Sequence, residues 1–138
     1  MYTSEDEITE LVRAFEDCRL AREHWTHTAH LTVALWYLIR SPRTAVEKIR
    51  FGIQRYNHAH GIESTPTGGY HETITLFWIH LIQTDLNHVD IHDSLLNLAN
   101  QLIHHYADPA VLFEYYSRDC LFSPLARSTW VEPNLKSF

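Results

Sequence analysis

Two stretches of the chain are apolar on almost every side of a helix, and no other feature limits its fold as tightly. One runs through Leu31, Val33, Ala34, Leu35, Trp36, Leu38 and Ile39, the other through Ile74, Leu76, Phe77, Trp78, Ile79, Leu81 and Ile82. A helix that is apolar all round has to be enclosed by other apolar groups, either protein or lipid. Residues 31–39 number nine, far short of the roughly 20 needed to cross a bilayer. Both segments are therefore expected at the heart of a helical core.

The rest of the chain carries helical periodicity around them. Ser4 and Glu7 have the spacing of a capping box, and Ile8, Leu11, Val12 and Phe15 then recur on one face, which predicts a helix over residues 5–18. Thr26 suits the cap of a helix over 27–40. Ser41 and Pro42 open a third helix over 42–60, with Val46, Ile49, Ile53 and Tyr56 as its buried stripe and Gly61 as its stop. Residues 62–69, rich in Ser, Thr, Pro and Gly, read as a loop before a fourth helix over 70–87. Asp90 is the expected cap of a fifth helix bearing Leu95, Leu98, Ala99, Leu102 and Tyr106. Asp108 and Pro109 begin a sixth that fades at Ser117, and Ser123 with Pro124 begins one more turn before an extended tail. With only 4 Gly and 5 Pro, no alternating strand and no internal repeat, the reading is all-α: one domain over 1–138, a compact antiparallel bundle of about five to six helices.

The formal charge of −6 and the absence of a Lys/Arg stripe disfavour nucleic acid as a partner. Membrane insertion is disfavoured by the short apolar runs. Residues 1–7 are acidic and lack the basic, then apolar, start of a secretory leader, so the cytoplasm is the expected location. Cys18 and Cys120 are expected to be reduced core thiols. No glycine-rich phosphate loop, nucleophile elbow or Cys-x-x-Cys pair is present, which sets aside nucleotide binding and Ser or Cys nucleophilic catalysis.

The chain holds 11 histidines, and His is the commonest protein metal ligand. Up-down tracing of consecutive helices gathers four helix termini at one end, with His27 and His30, His71, His60, and His105 among their residues. At 100° per residue, His27, His30 and His71 face the core, His60 and His105 come second, and His24, His58, His80, His88, His92 and His104 belong to the surface. One reading is thus a metal-dependent enzyme acting on a small molecule by hydrolysis or oxidation. His27, His30 and His71 would hold a divalent ion such as Zn, Fe, Mn or Cu, with Glu72 as a further ligand or proton shuttle, and Tyr70, Arg127, His60 and His105 would complete the pocket. The competing reading is a non-catalytic helical ligand-binding or dimerisation domain with structural histidines, in which homo-oligomerisation is left open. A pocket without metal is also consistent with the residues, since helix N-termini attract carboxylate or phosphate and Arg118 and Arg127 offer a charged fork.

His92 followed by Asp93 has the dipeptide of HD phosphohydrolases, but Asn87, His88 and Asp90 stand where that motif has an apolar lead-in. The segments at Trp25–Thr26–His27–Thr28–Ala29–His30, at Gly68–Gly69–Tyr70–His71–Glu72–Thr73 and at residues 126–133 resemble those of small bacterial all-α proteins of unassigned function. The resemblance spans most of the chain. It implies a bacterial source and a His-containing pocket, and no particular activity. DinB-like metal-binding bundles offer an analogy of architecture only.

Overall fold

The computed structural model describes residues 1–90 and 92–138. Five long helices come first: α1 (Glu5–Glu16), α2 (His27–Arg40), α3 (Ala45–Ala59), α4 (Glu72–Leu86) and α5 (Leu95–Tyr106). Three short ones follow, α6 (Leu112–Tyr115), α7 (Arg118–Leu121) and α8 (Pro124–Ser128). The fold is all-helical, with no β-strand among the described residues. The helix count exceeds the expected five to six because the chain after α5 breaks into separate turns, with serine caps opening α7 and α8.

The apolar second helix takes the central place. α1, α3, α4 and α5 all pack on α2, and Leu31, Thr32, Val33 and Leu35 are almost wholly buried. Burying a Leu or Ile in this way contributes about 1.5–3 kcal/mol each. The one hydroxyl in that set is satisfied: Thr32 donates to the Thr28 carbonyl at 2.8 Å and pairs with the Tyr2 hydroxyl at 2.8 Å. α4 rests against α2, α3 and α8, burying Phe77 and Ile82. α4 and α5 both pack on α2 with their own backbones apart, and the Tyr106 side chain reaches across to Trp78 and Asp85.

Caps explain most of the helix boundaries. The Ser4 hydroxyl accepts the Glu7 N–H at 3.4 Å, while the Glu7 carboxylate takes the N–H of Thr3 at 2.9 Å, one residue earlier than a capping box requires. Thr26 accepts the Ala29 N–H at 3.3 Å and opens α2 where expected. α3 begins at Ala45, later than expected, because residues 42–44 form a turn closed by the Thr44 N–H on the Ser41 carbonyl at 3.1 Å. It ends as expected at Gly61, whose φ of 68° lets the Ile62 N–H reach the Asn57 carbonyl at 2.8 Å. α1 closes in the same way with Cys18 at φ 60°, where the β-carbon costs about 1–2 kcal/mol. Ser94 caps α5 in place of the expected Asp90, which instead takes the His92 N–H at 2.9 Å.

The C-terminal part is organised by polar pins. Ser117 caps α7, and Ser123 caps α8 ahead of Pro124 at its first position. The buried Thr73 hydroxyl of α4 donates to the Thr129 carbonyl at 2.7 Å and accepts the Val131 N–H at 3.1 Å. Tyr116, fully buried, donates to the Val131 carbonyl at 2.6 Å. Cys18 and Cys120 are both free and half-buried. Among the described residues no helix is long and apolar enough to cross a membrane.

Candidate functional site

α4 begins at His71, and the imidazole itself is the cap. The residue is extended (φ −132°, ψ 108°), and its Nδ1 accepts the Ile74 N–H at 3.1 Å. Nδ1 therefore carries no proton, so Nε2 does, and it donates to the Leu121 carbonyl at 2.7 Å. Burial lowers the His71 pKa, and the charge of Arg127 adds to the shift against the opposing pull of the Leu121 carbonyl. Both ring nitrogens of this buried, neutral histidine are thus engaged, one in starting a helix and the other in tying down α7.

His27 lies elsewhere. It is half-buried, its Nε2 meets the Tyr106 carbonyl at 2.8 Å, and its ring centre is 4.7 Å from that of Trp78. Burial lowers its pKa, opposed by the Tyr106 carbonyl and Asp108. Trp78 stands seven residues beyond His71, which is about 10 Å along the helix axis. α4 is therefore displaced along α2 relative to the level placement of helix ends expected from the sequence. His30 keeps part of its surface in water but stacks on Trp25 at 3.8 Å, burial and then the charge of His27 push its pKa down to about 4, and Trp25 in turn lies 4.5 Å from Phe15. His60 stacks on Tyr56 at 4.2 Å, and its Nε2 meets the Cys18 carbonyl at 2.9 Å. His24, His58, His80, His88, His92, His104 and His105 are exposed. The three imidazoles read as one ligand set keep three different sets of partners. Among the described residues no three His, Cys, Asp or Glu side chains gather as a metal-holding group.

The structure instead brings together Glu72, Tyr70 and Arg127, with Arg50 added. They line a cleft of about 490 Å³ between α3, the 64–66 loop, the start of α4 and α8. Arg50 grips Glu72 with a two-pronged fork, Nε to Oε1 at 3.0 Å and Nη2 to Oε2 at 2.8 Å. The Tyr70 hydroxyl donates to Oε1 at 2.5 Å. Burial works against the Glu72 charge, but the bonds from Arg50 and Tyr70 outweigh it and hold the carboxyl below its ordinary pKa. Burial, then the Glu72 contact, pushes Tyr70 up to about 12.

Arg127 forms the opposite wall. Its Nη1 donates to the carbonyls of Gly69 at 3.1 Å and Tyr70 at 3.4 Å. Its Nε is buried and has no acceptor among the described residues. Gly69 is required at that corner: its φ is 84°, and a β-carbon would fall 2.6 Å from the Glu63 carbonyl oxygen. Arg118 is not part of the cleft, and its guanidinium lies over the Phe113 ring at 4.3 Å.

Sequence reasoning missed Arg50, although a signal existed. Arg50 follows Ile49 and stands four residues after Val46, so it sits at the edge of the buried stripe of α3, where a charge needs a partner. Comparison with known protein families, with curated proteins and with solved structures finds no match to this chain.

Proposed function

We propose that the chain is a helical binding domain for a small anionic molecule, a carboxylate or phosphate ester, held in the cleft between Arg50 and Arg127. The observation that carries this reading is the presence of two guanidinium groups, Arg50 and Arg127, on one cleft whose lining holds a single carboxylate. The planar guanidinium suits a two-oxygen anion.

Charge supports the same class of ligand. The cleft is lined by two guanidinium groups and one carboxylate, a local excess of positive charge on a chain whose formal charge is −6. Glu72 is better suited to anchoring Arg50 than to taking protons. A general base works best with a pKa near the working pH, and this carboxyl is held below its ordinary value. Tyr70, raised to about 12, stays protonated and keeps its donor on Glu72.

The test is calorimetric titration at low salt with inorganic phosphate, a phosphate monoester and small mono- and dicarboxylates. At least one should bind saturably. Arg127→Lys keeps the charge but loses the fork, and should weaken binding by roughly tenfold, the scale of one charge-assisted hydrogen bond. If every anion fails to bind, or if the Lys variant binds as tightly as the wild type while remaining folded, the reading is wrong.

A further inference from the structure

The gap between α4 and α5 forms a second site of different chemistry. Both helices pack on α2 with their backbones apart, and the space between them is a slot of about 450 Å³. Leu35 of α2 forms its floor, and Ile82 and Leu86 face Leu98 and Leu102 across it. At one place the slot is bridged by a strut from helix to helix: the Tyr106 hydroxyl donates to Asp85 Oδ1 at 3.0 Å.

Asp85 is the telling residue. It is half-buried on a mostly apolar wall, and it forms no ion pair with a cation among the described residues. Its one side-chain partner among the described residues, Tyr106, is neutral, and a carboxylate accepts up to about four hydrogen bonds. An acidic group in such surroundings favours a ligand that brings its own positive charge, and the apolar walls favour a ligand with a hydrocarbon or aromatic body. Arg127 and Arg50 line the other cleft and are absent from this one, whose lining is completed by two exposed histidines, His88 and His105, so its carboxylate faces no guanidinium.

We infer that the slot between α4 and α5 binds a small apolar amine, with the ammonium on Asp85 and the apolar body between Leu86, Leu98 and Leu102. The inference does not depend on the anion site.

The experiment uses the full chain with methyl-labelled leucines, titrated with hexylamine and, separately, with hexanol and hexanoate, and followed by NMR and calorimetry. Hexylamine should shift the Leu86, Leu98 and Leu102 methyls saturably, and should bind on the order of tenfold tighter than hexanol, with hexanoate weaker still. Asp85→Asn keeps an acceptor for Tyr106 and should erase the preference for the amine. Gln101→Trp, at an exposed position on the slot wall, should abolish binding of all three by filling the opening. Circular dichroism on both variants establishes that they are folded. Equal affinity for amine and alcohol, methyls that do not move, or an amine preference that survives in Asp85→Asn would each overturn the inference.

Discussion

The chain is held together differently around α2 and along the first half of α4. Around α2, four helices are joined mainly by apolar burial, with Leu31, Leu35, Ile82 and Tyr56 almost inaccessible to water. Along the start of α4, the C-terminal residues are held by side chains that grip main-chain groups: His71 on Leu121, Thr73 on Thr129 and Val131, Arg127 on Gly69 and Tyr70. Apolar packing is non-directional and decides which face of a helix turns inward. Hydrogen bonds are directional and decide which residue stands opposite which. The cleft lies where the second kind of contact dominates, and its residues are accordingly placed one by one.

Three substitutions test this contrast. The largest effect is expected from Leu31→Ala in the apolar region, a loss of about 2–5 kcal/mol in urea unfolding, because neighbouring helices cannot close on the void. The whole cooperative transition should move. Thr73→Val should cost less, about 1–3 kcal/mol, by leaving the Val131 N–H and the Thr129 carbonyl unpaired. Its effect should concentrate in the pinned segment, read as faster hydrogen exchange or proteolysis at residues 129–135. A uniform loss of protection would show that the two regions are not distinct.

The smallest effect concerns pH. The His71 pKa is lowered in the folded protein, so the unfolded chain takes up the proton first. The stabilisation is present above the unfolded value of about 6.5 and is lost as pH falls through the folded one. His27 shifts in the same direction, and His30 further, down to about 4. Thermal stability should therefore fall as the pH drops below about 6.5, and His71→Asn, which preserves an acceptor for the Ile74 N–H, should reduce that fall. An identical pH profile in the variant would remove His71 from the account.

Much of the helical layout was legible because its causes are local. Thr26, Ser4, Ser123 with Pro124, and Gly61 each act through hydrogen bonds within a few residues, so their roles follow from the order of residue types. The same locality explains the misses. Asp90 and Ser94 both fit a cap, and only the onset of burial at Leu95 chooses Ser94. His71 was read as an inward ligand from its angle on α4, whereas it stands just before the helix and caps it. Of the cleft, Tyr70, Glu72 and Arg127 were singled out, but as companions of a metal centre rather than as partners of Arg50.

Residue spacing alone determined that this chain forms helices, where α1, α2 and α8 begin, and that the stretch of its second helix from Leu31 to Leu38 is largely enclosed. It also determined each side chain's angle about its own helix axis, since 100° per residue is a property of the backbone. Tertiary structure decided how far each helix slides along its neighbours. A translation of α4 by about two turns leaves every helical period unchanged, yet it sets Trp78 rather than His71 against His27 and puts Glu72 beside Arg50. That offset comes from side-chain interdigitation and the path of residues 60–71, neither of which is written in a pattern of apolar positions.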